Sequence, residues 1–220
     1  AANVGYYVGR AGPYKSYEDT GNAIIQDPTA LGTMKMSIDT DNDESNLQSN
    51  AGVGVLGAIT AGTSARKTWF ETRIAAGQIA TQNLFAGLAE EGCAAVSTIS
   101  DTGVLADKDY VGFQVVEGAA STLTFTYKKA GQTAQVALAT LATLVASTYV
   151  NVGFKYDPFE INVDRRFAIY LNGVVQGYLT NANLNAATFP SGEELAFLFA
   201  ASNAAATRTY FSQGWRFGQL

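Results

Sequence analysis

The 220-residue chain contains no histidine, and that absence removes the Ser-His-Asp triad, the Cys-His dyad and the usual histidine-bearing zinc sites together. Its single cysteine, Cys93, has no internal disulfide partner, so nothing depends on an oxidising compartment and a small buried apolar role is expected. Charge is scarce too: 15% of residues are charged, against roughly 25% in an average soluble domain. The 14 basic and 19 acidic residues leave a net charge of −5. A chain of that sign gains nothing from counterion release, so nucleic acid is not an expected partner. The long uncharged stretch between Lys129 and Lys155 is broken by Gln132, Gln135, Asn151 and repeated Thr, which excludes a membrane-spanning helix there. No segment joins a basic start to an apolar run and a small-residue cleavage site, so signal-directed export is not expected.

What is abundant points one way. The hydrophobic fraction is 47% and the mean hydropathy +0.04. With so little charge, part of the surface is expected to be covered by copies of the chain or by a partner. The length suits a single core.

Along the chain, short extended candidates are punctuated by Gly, Asn and Asp. In Thr33–Ile38, Met34, Met36 and Ile38 share one face and Lys35 and Ser37 the other. In Lys67–Ala75, Phe70, Thr72 and Ile74 lie opposite Trp69, Glu71 and Arg73. Further strands are expected at Leu84–Ala89, Tyr110–Val116, Thr122–Lys128, Tyr149–Tyr156, Phe167–Leu171, Val174–Leu179, Leu195–Ala200 and Tyr210–Phe217. Asn172-Gly173 between apolar runs is a two-residue hairpin signal, because both residues tolerate positive φ. Ala134–Ser147 is ambiguous: Leu138, Leu141 and Val145 fit a helical spacing, while the Thr content favours strand, turn and strand, and the β reading is preferred. The expected fold class is all-β, a sandwich of two sheets. Residues 1–31 show no sustained period and read as an extended N-terminal arm preceding a sandwich domain over 32–220, docking on a partner or, as alternatives, folded back on its own domain or disordered. The arm holds Tyr6, Tyr7, Tyr14 and Tyr17, and tyrosine is favoured at interfaces. These four, with Arg10 and Lys15 for acidic groups, are the expected partner-binding residues.

Catalytic and metal motifs are broken. Asp39, Asp41 and Asp43 are spaced like the start of a calcium loop, but its sixth position is Glu44 rather than Gly and its twelfth is Asn50 rather than Glu. A solvated loop is therefore expected there, with no metal and no cofactor. A glycosidase needs two facing carboxylates. Glu160–Asp164 departs from the Glu-x-Asp-x-x-Glu pattern of sandwich glucanases at Asn162 and Arg165, and the side chains of adjacent Glu90 and Glu91 would point to opposite faces. No enzymatic activity is expected. Glycan binding needs only an aromatic platform with amides beside it, for which Trp69, Trp215, Tyr170, Tyr178, Asn172, Asn181 and Asn183 are candidates, against the plainer reading of core aromatics and turn asparagines. Arg165-Arg166 and Lys128-Lys129 read as solvated strand ends.

Four segments taken together, KTWFETRI (Lys67–Ile74), NLFAGLAE (Asn83–Glu90), LVASTYVNVGFKYD (Leu144–Asp157) and FAIYLNGV (Phe167–Val174), resemble tailed-bacteriophage virion proteins with a concanavalin A-like jelly-roll β-sandwich. The Asp-rich run before Leu47-Gln48 belongs to the same pattern, and the resemblance covers about Thr33–Leu220. It implies a structural protein on the outer surface of a phage capsid, a decoration or cement protein whose partners are the major capsid protein and its own copies, commonly as a trimer, in the virion. In legume-type lectins the fold binds calcium and sugar through an Asp and Asn constellation that is not placed here residue by residue. The alternative that the resemblance leaves open is a virion-displayed, carbohydrate-binding adhesin for host glycans.

Overall fold

The computed structural model describes residues 3–9, 12–26, 32–49, 55–56, 66–118, 121–203 and 207–219. In chain order the strands are β1 Asn3–Gly9, β2 Gly12–Glu18, β3 Ala23–Gln26, β4 Thr33–Ile38, β5 Glu44–Ser49, β6 Val55–Leu56, β7 Thr68–Ala76 and β8 Gln82–Glu90. They continue as β9 Tyr110–Val115, β10 Thr122–Lys128, β11 Gln135–Thr143, β12 Val150–Tyr156, β13 Phe167–Leu171, β14 Val174–Leu179, β15 Leu195–Asn203 and β16 Arg208–Gln219. Helix is confined to two 3-10 turns and the four residues Asn181–Leu184 among the described residues. None of this helix is long and apolar enough to cross a membrane.

The strands form two wholly antiparallel sheets. One has the order β1-β2-β5-β15-β8-β9-β10-β11, with β6 also paired to β15; the other has the order β14-β13-β12-β7-β16-β4-β3. Alternation packs them face to face. Phe70, Phe154 and Phe167 from the seven-stranded sheet meet Phe113, Phe125 and Phe197 from the nine-stranded one. Ring centroids are 5.3 Å apart for Phe70–Phe154, 5.0 Å for Phe154–Phe167, 5.9 Å for Phe125–Phe154 and 6.2 Å for Phe70–Phe197. Such pairs each add about 1 kcal/mol to the burial of their area.

The two sheets differ on their other faces. Strands β5, β8, β9 and β15 are buried on both sides. A second apolar cluster of Phe85, Ala89, Cys93, Ile99, Leu105, Tyr110, Leu198 and Ala200 gathers residues of β8, β9 and β15 with the segment between β8 and β9. Cys93 is buried as expected, and burial pushes its thiol up to about 12. Glu44, read as part of a solvated loop, is instead 2% exposed. Its Oε1 and Oε2 accept from Thr98 N at 2.6 and 2.9 Å, its Oε1 from Ile99 N at 3.2 Å, and its Oε2 from Ser97 Oγ at 2.6 Å. It thus pins the covering segment to β5. Burial, only partly offset by these donors, raises its carboxyl to about 7. By contrast β7 alternates buried and exposed, so the outer face of the seven-stranded sheet is open.

The segment read as an arm contributes β2 to one sheet and β3 to the other. Tyr14 is 3% exposed in the core, and its hydroxyl accepts from Trp215 Nε1 at 2.8 Å. The Asn172-Gly173 hairpin forms as expected, with φ of 51° and 79° and Leu171 opposite Val174. The β reading preferred for Ala134–Ser147 is met: Gln135–Thr143 form the edge strand β11, and a turn at 146–147 follows it, with no second strand inside the stretch.

Candidate functional site

A groove of about 730 Å³ crosses the outer face of the seven-stranded sheet over β16, β7, β12 and β13. Strand alternation puts Trp69, Glu71 and Arg73 of β7 on that face. Cross-strand register then assembles rows. Trp69 lies opposite Lys155, Lys155 opposite Ala168 and Ala168 opposite Tyr178. In the next row, Glu71 faces Gly153 and Gly153 faces Tyr170; beyond it, Arg73 faces Asn151. On the other flank of β7, Gln213 lies opposite Arg73 and Arg216 opposite Glu71.

Gly153 makes the depression, because its row carries no side chain between Glu71 and Tyr170. It also allows close approach of the strands: a Cβ there would lie 2.7 Å from the Phe70 carbonyl oxygen. The polar groups are held by specific contacts. Arg73 Nη1 donates to Gln213 Oε1 at 2.9 Å, and its guanidinium stands 4.4 Å from the Tyr149 ring centroid. Arg216 Nη1 is 3.5 Å from Glu71 Oε1. Lys155 and Lys67 share Asp157 Oδ2 at 3.3 and 3.0 Å. Partial burial alone would raise the Asp157 carboxyl, but the two lysines and the Phe159 N–H outweigh it and hold the group below the usual carboxylate range. Asn172 Oδ1 accepts from Asn151 N at 2.9 Å, fixing the hairpin at the groove's edge.

No family model matches the chain, and no curated relative does. Solved structures do match in fold. A Lotus tetragonolobus seed lectin is 12% identical with a TM-score of 0.57 over 99% of this chain and 98% of its own. A Bacillus licheniformis β-glucanase is 11% identical with a TM-score of 0.55, covering 98% and 97%. The catalytic domain of an endo-1,3-β-glucanase (laminarinase) from Thermotoga petrophila RKU-1 is 8% identical with a TM-score of 0.58, covering 91% and 81%. The fold is the concanavalin A-like jelly roll. At these identities the likeness is one of architecture.

Of the aromatic and amide candidates read from the sequence, Trp69, Tyr170 and Asn172 line the groove, and Tyr178 stands at the end of its first row, 5.8 Å from the Arg165 guanidinium. Trp215 does not join them. It turns inward to stack on Phe197 at a centroid distance of 4.6 Å and 18°. Asn181 and Asn183 serve the helical turn instead: Asn183 closes a capping box with Thr180, and its Nδ2 donates to Tyr127 Oη at 3.3 Å.

The expected partner-binding residues are not gathered in one place. Tyr14 is a core residue, which removes it as an anchor for a partner. Lys15 is 3.8 Å from Glu91, and the Tyr17 hydroxyl donates to Asp19 Oδ1 at 3.3 Å. Tyr6 and Tyr7 fall on β1, with their side chains outside the described residues, as is Arg10 altogether. Among the described residues no group of three or more His, Cys, Asp or Glu is placed to hold a metal ion.

Sequence reading placed Glu71 and Arg73 on the right face without giving them a role. It passed over Asn151, Lys155, Gln213 and Arg216, which meet β7 only through pairings with β12 and β16. No local signal marks them.

Proposed function

We propose that this protein binds saccharide chains, without turning them over, in the groove on the outer face of its seven-stranded sheet. The observation that supports this reading is the grouping of Trp69 and Tyr170 with Arg73, Asn151, Asn172 and Gln213 around the gap at Gly153. Apolar ring surface beside a few fixed polar groups is the general make-up of a ligand site. The lectin and the glucanases of like fold act on carbohydrate by their names, which agrees with it. Turnover is disfavoured by the charge pattern: the groove has one carboxylate, Glu71, beside two guanidinium groups. Among the described residues of its lining there is no second carboxylate across the cleft, the arrangement that glycoside hydrolysis uses. A glycan array with the intact protein and with Trp69→Ala tests the reading. Binding that Trp69→Ala abolishes supports it; no binding, or release of reducing ends or unsaturated sugars from any bound polymer, overturns it.

A second reading, capsid decoration on a phage virion, is supported by the sequence resemblance and by the position of β1. That strand, NVGYYVG, is the uncharged outermost strand of the nine-stranded sheet. An edge strand offers unpaired backbone groups to another chain. A protein that binds the assembled shell and not its parts stabilises the shell by mass action. Cosedimentation with capsid shells lacking the protein, followed by the shells' rupture temperature, tests this. Saturable binding with a raised rupture temperature supports it, and no binding by folded protein sinks it. The two readings use opposite sheets and do not exclude each other.

A further inference from the structure

We infer that the groove takes anionic polysaccharide, with carboxylate or sulfate groups on its sugar rings. This rests on the saccharide-binding reading and narrows it. Charge in the molecule is segregated. The whole chain is net −5, yet the outer face of the groove-bearing sheet carries Lys35, Arg73, Lys155 and Arg216 against Glu71, the one carboxylate in its seven strands. A face of net positive charge on an acidic protein favours anionic over neutral polymers.

The cations differ in readiness. Arg216 already faces the Glu71 carboxylate, and Lys155 shares Asp157 with Lys67, so both are partly compensated. Arg73 is not: it donates to an amide oxygen and stands over an aromatic ring. These two contacts, from β16 and from the residue before β12, fix the plane of its guanidinium while engaging a single N–H. The remaining donors form a pre-oriented fork of the kind that matches carboxylate or sulfate oxygens. It stands along β7 from Glu71, about 7 Å away along the strand and beside the Gly153 depression. A sugar ring seated in that depression would bring an anionic substituent within reach of Arg73, with Arg216 and Lys155 on the flanks.

The test is affinity measured at low salt for matched polymers on two backbones, galactan against polygalacturonate and dextran against dextran sulfate. The expected result is that anionic members bind at least about tenfold more tightly and that Arg73→Gln removes this preference. Raising the salt should erode it as well, since the groups are exposed. Trp69→Ala should abolish binding of all members alike. Thermal melting confirms that each variant is folded, and Arg216→Gln, in a different strand, repeats the test should Arg73→Gln fail to fold. Polygalacturonate and dextran sulfate separate the carboxylate from the sulfate source. Equal binding of neutral and anionic polymers, lost in Trp69→Ala, overturns this inference and leaves the saccharide-binding reading standing. Anionic binding that survives both arginine substitutions also overturns it, by placing the contact elsewhere. No binding of any polymer overturns both.

Discussion

Two tryptophans of nearly equal appearance in the sequence have opposite fates. Trp69 obeys the alternation of β7 and is 36% exposed at the groove. Trp215 breaks the alternation of β16: Gln213 pairs with Arg73 and Arg216 with Glu71, so two residues of β16 stand against Thr72 alone. The extra residue is a bulge, made at Gly214 with φ of 61°. Without it Trp215 would share the outer face with Gln213; with it the indole turns to Phe197 and Tyr14. Removing each ring should therefore separate binding from stability. Trp69→Ala should abolish saccharide binding with a small change in melting temperature. Trp215→Ala should cost about 3 kcal/mol through its cavity and the lost hydrogen bond, several degrees of melting temperature. Calorimetry of both variants checks this, and equal destabilisation would contradict the assignment of the two faces.

At the scale of elements, strands with a clean period of two were legible. Thr33–Ile38, Thr122–Lys128, Phe167–Leu171 and Val174–Leu179 end where the sequence says they should. Strands β2 and β3 were not, because Gly12, Pro13 and polar neighbours hide their alternation, and their pairing, of β2 with β5 more than twenty residues further along the chain and of β3 with β4, is set by the fold. Strand β5 was missed for a related reason. Glu44, Asn46 and Gln48 look solvated, but each is buried and its side chain bonds to the segment that covers β8 and β9. That arrangement has a pH signature. Glu44 has a folded pKa of about 7 against an ordinary value of 4.5, so the folded chain takes up a proton that the unfolded chain does not between those values. Stability should fall as pH rises from about 4.5 to 7 and level off above, with an amplitude on the order of 3 kcal/mol. Denaturant unfolding across that range should show the slope in the native chain and lose it in Glu44→Gln. A native chain whose stability rises through the window at the same rate as the variant's would refute the account.

At the scale of the whole molecule, an arm and a body are separable only if the core is complete without the first 31 residues. It is not. Tyr14 and Ile24 belong to the main core cluster, and Tyr14 meets Trp215 and Phe197 edge-on at centroid distances of 5.6 and 6.5 Å. Chain ends read from composition alone look like tails whenever their strands lack a clean period, because the partners that bury them are known only from the fold. The consequence falls on how a capsid role must be tested, since deleting residues 1–31 would remove core side chains and confuse unfolding with loss of docking. Deleting residues 1–9 removes only the edge strand β1 and leaves β2 paired with β5. The shorter deletion should melt cooperatively within a few degrees of the intact chain and keep its near-ultraviolet circular dichroism, whereas the longer one should lose both. A longer deletion that melts like the intact chain would restore the division at residue 31. If the shorter deletion behaves as expected, loss of shell binding in it, with saccharide binding retained, would assign docking to the nine-stranded sheet's edge and leave the groove on the other sheet free to hold its ligand.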